Sequence, residues 1–371
     1  MKHLYLLLLP IVAMSCQTQP LQQESLPYGH VDGVDPKTQV SPDLKPLWDK
    51  FLRDTYVTLG PDGYYYLTGT AAFEGRETAF DENEGIPLWR SKDLENWEDL
   101  GYVWTFDDHG TWQRDSFVME NPPKTDINGQ PSGPIRRSVW ASEIHYLESQ
   151  QNWFLVACVN NNPNGRGSFI LKSTTGLPTG PYENIEGNAE GPLFEKIDGS
   201  LFEEEDGTVY FVGHSHWIAK MKPDMSGFAE PLRRFKEEAY DPEPYIEGAF
   251  IVKAGGKYHL MGAFWSFRMD DGSYVYNPGK VWADKADREA HRWAYDCVVA
   301  TADSIYGPYS PRYTAVTGGG HNNFFQDKDG NWWSTWFGNP RTDIFPQNFL
   351  RRPALIPLEF DGETFFPKQG S

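Results

Sequence analysis

Residues 198–210 of this chain read DGSLFEEEDGTVY, in which an aspartate precedes a short apolar run, an Asp-Gly turn and a second apolar run. Two such runs joined by a tight turn are typical of a β-hairpin. The unit recurs five times, and in each copy an acidic or histidine residue stands eight positions before the turn. We name these five residues the polar ring: Asp54, Glu143, Asp198, Glu247 and His321. A polar residue kept at one place in every repeat suggests that the repeats share an axis.

The spacing of the five units predicts a five-bladed β-propeller. A further apolar strand follows the hairpins, for example at residues 170–173 and 298–301, so each unit is an antiparallel meander of three or four strands. Two successive units begin 55 and 49 residues after the preceding one, close to the roughly 40 to 50 residues of a four-stranded blade. The longer steps imply insertions, which we place at residues 107–136 and 268–292.

The composition agrees with an all-β fold. The 371 residues include 35 Gly, 28 Pro, 14 Trp, 19 Tyr and 23 Phe, a load of turn formers and aromatics that suits short strands. No segment keeps a helical period of apolar residues. Because the repeat is spread evenly, we expect one catalytic domain over residues 45–371.

The N-terminus has the marks of a targeting segment. Lys2 and His3 precede an apolar run, and Ala13-Met14-Ser15-Cys16 resembles the box at which bacterial lipoproteins are cleaved and acylated on the cysteine. The alternative is an ordinary signal peptide with an incidental cysteine. We therefore predict a signal peptide at residues 1–16, a flexible tether at 17–44, and a protein anchored by lipid in the bacterial cell envelope, in the periplasm or on the outer-membrane surface.

The charge balance limits the partners. The chain has 33 Lys and Arg against 52 Asp and Glu, a net charge of −19, which disfavours nucleic acid as a ligand. Contact with a membrane is expected only through the lipid. Cys158 and Cys297 both lie in apolar strand contexts, so two separate buried thiols are expected rather than a disulfide.

The polar ring points to chemistry on sugars. The sequence contains no Gly-rich phosphate loop, no cysteine-based metal pattern and no Gly-x-Ser-x-Gly elbow. Cleavage of a glycosidic bond needs two carboxyl groups in an aromatic-lined pocket, one as a protonated acid and one as an ionised base or nucleophile. A third carboxylate nearby would raise the pKa of the acid by like-charge repulsion. Glycoside hydrolysis is the reaction that uses every acidic member of the ring.

At these residues the chain resembles glycoside hydrolase family 43 over nearly the whole mature sequence. The matching motifs are Asp54-Thr55-Tyr56, Trp140-Ala141-Ser142-Glu143-Ile144-His145-Tyr146, Ile197-Asp198-Gly199-Ser200-Leu201-Phe202, Glu247-Gly248-Ala249 and Gly320-His321. Prolines common in that family are replaced at four positions, which indicates a divergent member. These positions are Thr55, Ser142, Gly199 and Ala249.

The resemblance implies a five-bladed propeller and a role for each acidic residue. Asp54 is then the general base that activates water, Glu247 the general acid, and Asp198 the residue that tunes the pKa of the acid and orients the sugar. Hydrolysis would proceed by single displacement with inversion, for which the carboxyls of Asp54 and Glu247 stand roughly 6.5 to 9.5 Å apart. No cofactor is required. The family resemblance also allows a calcium ion near His321, although the sequence has no clustered Asp and Asn loop that demands one.

Other residues are candidates for substrate binding. Trp140 and Trp265 are the tryptophans expected to stack against a sugar face, and His214 follows the second strand of its blade. Glu143 and His321 are expected to support, orient or bind rather than to react. The full prediction is an inverting, exo-acting glycosidase that removes a terminal arabinofuranose, xylose or galactose-type sugar from a plant or algal polysaccharide or oligosaccharide, with the insertions closing one end of the pocket.

The sequence leaves two alternative functions open. One is a non-catalytic, glycan-binding propeller lipoprotein that kept the fold and lost the chemistry. The other is a retaining propeller glycosidase or transglycosidase, whose two carboxyls would stand roughly 5 to 5.5 Å apart.

Overall fold

The protein is described from a computed structural model. The described residues are 30–31, 35–72, 83–115, 138–159, 167–215, 217–234, 246–268, 274–276, 292–337 and 351–369, with the backbone alone for 30–31, 115, 265–268, 274–276 and 292–294. The predicted signal peptide with Cys16 lies outside these residues, as do most of the two predicted insertions. None of the described helices is long and apolar enough to cross a membrane.

The strands form five antiparallel sheets, preceded by the two-residue strand β1 (His30–Val31). Blade 1 contains β2 (Leu52–Leu59), β3 (Tyr65–Ala71), β4 (Gly85–Ser91) and β5 (Trp97–Thr105), followed by the short helix α1 (Trp112–Asp115). Blade 2 contains β6 (Trp140–Leu147), β7 (Asn152–Val159), β8 (Gly167–Ser173) and β9 (Tyr182–Asn184). Blade 3 contains β10 (Ser200–Glu203), β11 (Val209–Gly213), β12 (Trp217–Lys220) and β13 (Arg233–Arg234).

Blade 4 is the enlarged one. It contains β14 (Glu247–Ala254), β15 (Lys257–Arg268), β16 (Tyr274–Tyr276), β17 (Arg292–Ala302) and β18 (Tyr313–Val316), and β1 pairs with β16 at its edge. Blade 5 contains β19 (Phe324–Gln326), β20 (Trp332–Phe337), β21 (Pro353–Phe360) and β22 (Phe365–Pro367). In blades 1, 2, 3 and 5 successive strands pair with one another, whereas in blade 4 the long strand β15 pairs with β14, β16 and β17. The five-bladed β-propeller predicted from the repeat is therefore confirmed.

The first hairpins turn where the sequence places Asp-Gly. Gly207 and Gly330 have φ angles of 81° and 83°, a left-handed conformation that strains any residue with a Cβ. Asp206 accepts a hydrogen bond from the N–H of Thr208 at 2.9 Å, which closes the turn locally. Local chemistry thus sets the position of these hairpins.

The apolar core lies at the junctions between blades. In the described residues each pair of neighbouring blades shares at least one cluster of buried side chains, including the junction between the last blade and the first. Cluster members from the two blades at each junction include Trp104 and Phe169, Phe154 and Phe211, Val212 and Ile251, Phe250 and Phe324, and Tyr65 and Phe325. Fully burying one such side chain contributes about 1.5 to 3 kcal/mol, so the junctions hold the ring together.

Hydrogen bonds also close the ring between blades 5 and 1. The side-chain amide of Asn323 accepts from the N–H of Val57 at 2.9 Å and donates to its carbonyl at 2.8 Å. The hydroxyl of Thr335 donates to the carbonyl of Thr55 at 2.7 Å. In the described residues all four strands of blade 5, β19 to β22, come from the C-terminal part of the chain, and these side-chain bonds link that blade to blade 1.

Part of the predicted tether packs against the propeller. Thr38 is 3% exposed, and its hydroxyl lies 2.7 Å from the hydroxyl of Thr317. Val40 and Leu44 pack against the cluster shared by blades 4 and 5. The few apolar side chains of residues 35–44 cover part of that junction. This segment is therefore packed on the propeller and is not a free tether.

The two cysteines of the propeller are both buried and free. Cys158 lies in β7 and Cys297 in β17, on different blades. The prediction of two separate buried thiols is confirmed.

Candidate active site

The polar ring lies where the first strand of each blade begins. In blades 1, 3 and 5 the ring residue itself is left-handed: Asp54, Asp198 and His321 have φ angles of 51°, 59° and 49°. Such a conformation costs a residue with a Cβ about 1 to 3 kcal/mol and is concentrated at functional sites. Three blades therefore present a polar side chain from the same backbone position.

Blades 2 and 4 present their carboxylates differently. The left-handed residues are Ala141, with φ of 48°, and Gly248, with φ of 56°, so Glu143 lies two residues after that position and Glu247 one residue before it. In blade 4 the shift follows from loop length, because the last paired residues of the first hairpin enclose five residues in blade 3 but only Gly255 and Gly256 in blade 4. A constant spacing of eight in the sequence therefore corresponds to three different positions of the ring residue relative to the left-handed residue.

His321 lies within electrostatic reach of all four acidic ring residues. Its Nδ1 lies 3.5 Å from Oδ1 of Asp54, and its side chain is 11% exposed. Burial by itself would lower the pKa of His321, but the negative charges of the four acidic ring residues, led by Asp198, outweigh burial and raise it. The charges of the four acidic ring residues thus all act on His321.

Asp198 and Asp54 are the most deeply buried carboxylates of the polar ring. Asp198 is 5% exposed, and its Oδ2 accepts a hydrogen bond from the N–H of Gly248 on the next blade at 3.2 Å. Nδ1 of His214 lies 4.0 Å from the same oxygen. Burial acts to raise the pKa of Asp198, but the charge of His321 and the contacts with His214 and Gly248 outweigh it and lower the pKa. Asp198 is accordingly a fixed negative charge at neutral pH.

Asp54 is held by groups that the sequence did not single out. It is 6% exposed, and its Oδ2 accepts from a guanidinium nitrogen of Arg53 and from the hydroxyl of Thr70, the latter at 2.8 Å. The Thr70 hydroxyl in turn accepts from the N–H of Ala141 in blade 2 at 2.7 Å. The position of Asp54 therefore depends on two blades.

Glu247 has a different environment. Its Oε2 accepts a hydrogen bond from the hydroxyl of Tyr295 at 2.7 Å, and it is less buried than Asp54 or Asp198. Burial raises the pKa of Tyr295, and the negative charge of Glu247 raises it further. A neutral hydroxyl thus donates to Glu247, whereas a cation donates to Asp54.

Glu143 belongs to a network between blades 1 and 2. Its Oε2 lies 2.8 Å from Nε2 of His145, whose ring packs against Tyr56 with centroids 4.9 Å apart. Burial raises the pKa of Tyr56, and the charge of Glu143 adds to that effect. These contacts favour a supporting role for Glu143.

The three predicted substrate-binding residues Trp140, Trp265 and His214 differ in what the structure shows of their surroundings. Trp140 is 9% exposed, and the guanidinium of Arg53 lies 5.3 Å from the centre of its ring, which leaves little ring surface for a sugar. Trp265 lies in β15, but its side chain is outside the described residues. His214 is 2% exposed and faces Asp198 rather than open space.

The possible calcium ion near His321 stays a prediction. Within the described ranges, no group of three or more His, Cys, Asp and Glu side chains is placed to hold a metal ion. The neighbours of His321 are used instead to balance its charge. No step of the chemistry below is assigned to a metal.

The raised pKa of His321 predicts how stability depends on pH. Because its folded pKa lies above the usual value of about 6.5, the imidazolium stabilises the fold fully below that pH, and this contribution is lost as the pH rises through the folded pKa. The loss amounts to about 1.4 kcal/mol for each unit by which folding raises the pKa. Urea unfolding of the wild type and of His321→Asn between pH 6 and 9 measures it. We expect the difference in unfolding free energy to shrink with rising pH; a constant difference would contradict the assignment.

The family of the chain follows from comparison with known proteins. The model of glycosyl hydrolases family 43 matches residues 44–364. The chain belongs to this family. The resemblance inferred from the five motifs is thereby confirmed.

Relatives of this family 43 protein are distant. It is 24% identical over 332 residues to the non-reducing end alpha-L-arabinofuranosidase of Bacteroides ovatus, a match that covers 83% of this chain and 50% of that protein. It is 29% identical over 211 residues to the beta-D-galactofuranosidase of Aspergillus niger, with 51% and 53% covered. The chain spans about half the length of both curated relatives. These identities agree with a divergent member.

Solved structures support the fold. The crystal structure of the endo-arabinase from Bacteroides thetaiotaomicron superposes with a TM-score of 0.59 at 18% identity, covering 87% of this chain and 99% of that one. At this identity the likeness shows the propeller and carries no information on the substrate.

Proposed function

We propose that this family 43 protein is an exo-acting glycosidase that hydrolyses O-glycosyl bonds with inversion. The observation that carries the proposal is the pair of unlike carboxyl environments around His321. Asp54 is deeply buried against a guanidinium, while Glu247 is less buried and hydrogen-bonded to a neutral hydroxyl. Carboxyl groups placed in unlike environments take unlike roles in acid-base catalysis.

The proposed reaction is a single displacement. Asp54, as general base, removes a proton from a water molecule that attacks the anomeric carbon. Glu247, as general acid, gives a proton to the glycosidic oxygen as the bond to the leaving group breaks, so the sugar is released with inverted configuration. An inverting mechanism requires the carboxyls of Asp54 and Glu247 to stand roughly 6.5 to 9.5 Å apart, which leaves room for the water molecule.

Asp198 is proposed to set the field in which the acid works. Its pKa is lowered, and its charge contributes to raising the pKa of Tyr295, the hydrogen-bond partner of Glu247. A fixed negative charge near a general acid disfavours loss of the acid's proton. This electrostatic effect supports the modulator role that the sequence resemblance implied.

The substrate is proposed to be a terminal sugar of a plant or algal oligosaccharide or polysaccharide. The two curated relatives are named for arabinofuranose and galactofuranose, and one of them for action at the non-reducing end. These names support a terminal furanose ahead of xylose. Net charge of −19 supports a neutral glycan over a strongly anionic one.

The location is proposed to be the bacterial cell envelope, with a lipid on Cys16 as the link to the membrane. The support is the run of apolar residues before Ala13-Met14-Ser15-Cys16. Mass spectrometry of the mature N-terminus tests it, and an unmodified or absent Cys16 would contradict the lipid anchor.

The stereochemical outcome tests the function. Aryl glycosides of α-L-arabinofuranose, β-D-galactofuranose and β-D-xylose are incubated with the enzyme, and proton NMR follows the first sugar released before it mutarotates. We expect turnover of at least one furanoside with the inverted anomer appearing first. Release of the retained anomer would support the retaining alternative. Glycan binding by titration calorimetry without turnover of any substrate would support the non-catalytic one.

A further inference from the structure

Arg53 and Asp54 point to the same side of β2 although they are neighbours in sequence. Consecutive side chains of a strand normally face opposite sides. Here the register with β3 shifts between Arg53 and Tyr56, and Asp54 is left-handed with φ of 51°. A bulge of this kind re-aims a side chain. It brings the guanidinium of Arg53 onto Oδ2 of Asp54.

The guanidinium is itself held in place. The Arg53 side chain is 9% exposed, and its guanidinium lies 5.3 Å from the centre of the Trp140 ring on blade 2. Arg53 also pairs across the ladder with Thr70, the second donor to Oδ2. Two donors on opposite strands therefore converge on one carboxyl oxygen.

The other oxygen of Asp54 has a different position. Oδ1 faces Nδ1 of His321 at 3.5 Å, toward the volume where the other ring residues act. A general base needs one oxygen directed at the water molecule. We infer that Arg53 is a positioning residue that commits Oδ2 of Asp54 to the protein and leaves Oδ1 as the oxygen that accepts the proton. This inference rests on the proposed function.

Trp140 takes a new role in this arrangement. Its ring serves the guanidinium of Arg53 instead of a sugar, since a tryptophan face attracts a cation strongly when both groups are buried. Arg53 thus contacts both Asp54 on blade 1 and Trp140 on blade 2, and so links the two motifs.

The test uses three variants of the full chain. Arg53→Met removes the charge, Arg53→Lys keeps the charge without the planar fork, and Arg90→Met is the matched control. Arg90 also pairs with a carboxylate, Glu98 at 2.7 Å, and also lies over an aromatic ring, that of Tyr64 at 4.8 Å, but on an outer strand pair of blade 1.

We expect Arg53→Met to lower kcat by about 10²-fold, the effect of misplacing a catalytic group by about 1 Å, with KM little changed. The acidic limb of its pH profile for kcat/KM should move to higher pH, because removal of a neighbouring positive charge makes a carboxylate easier to protonate. Arg53→Lys should lose part of kcat and keep the acidic limb near the wild-type position. Arg90→Met should behave as the wild type.

Wild-type kcat in either Arg53 variant would overturn the inference, and so would a loss of kcat with an unmoved acidic limb in Arg53→Met. If Arg53→Met fails to fold, Arg53→Lys decides by its kcat. An inactive wild type would instead contradict the proposed function. In that case a crystal structure of Arg53→Lys still tests the positioning, since the Asp54 carboxylate should rotate away from its wild-type orientation.

Discussion

Asp54→Asn is expected to lower kcat by at least about 10³-fold, within the range that general base catalysis contributes. The amide matches the carboxylate in size and cannot take a proton from the attacking water. The Thr70 hydroxyl can still donate to it, so the fold should persist. Initial rates on an aryl furanoside, with circular dichroism and a thermal unfolding curve, measure both effects.

The matched control is Asp49→Asn. Asp49 also pairs with an arginine, Arg352 at 2.8 Å, but is largely exposed at the surface. We expect full activity in this variant, because an exposed pair contributes about 1 kcal/mol or less. Full activity in Asp54→Asn with an unchanged fold would remove Asp54 from the mechanism.

Glu247→Gln is expected to produce a loss that depends on the leaving group. A glutamine cannot protonate the glycosidic oxygen, so an alkoxide leaving group, as in a natural oligosaccharide, should react about 10³-fold more slowly. A dinitrophenolate leaves without help, and its release should be slowed far less. Comparison of kcat for the two substrates in the variant and the wild type measures the difference.

Glu204→Gln is the control for this second prediction. Glu204 accepts a hydrogen bond from the hydroxyl of Tyr258, as Glu247 does from Tyr295, but it stands at the hairpin turn of blade 3, away from the polar ring. Its substitution should leave both rates unchanged. An equal loss on both substrates in Glu247→Gln would show that Glu247 is not the proton donor.

The fold was predictable because the information that specifies it is local. Each Asp-Gly or Gly-Gly turn stands between two runs of strand formers, so the hairpins can be recognised within about a dozen residues. The number of hairpins then sets the number of blades. The described part of the tether was less predictable, since the burial of Thr38 depends on Thr317, which is 279 positions away.

The members of the site were predictable to a smaller extent. Asp54, Asp198 and His321 share the left-handed backbone conformation at the start of their blades, as a repeated unit predicts. Arg53 was missed because it acts on Asp54 only through a bulge, and a bulge changes the side on which a residue lies without any clear mark in the sequence. Tyr295 was missed because it is 48 residues from Glu247 and one of 19 tyrosines in the chain.

The amino-acid sequence by itself determined that five hairpin units form a ring and that four carboxylates and a histidine recur along them. Only the tertiary structure decided that these residues differ in environment, with a cation against Asp54, a neutral hydroxyl against Glu247 and a backbone N–H against Asp198. The physical reason is that turns and strands depend on neighbours along the chain, whereas the energy of a charge depends on burial and on distances of a few ångströms to groups from other blades.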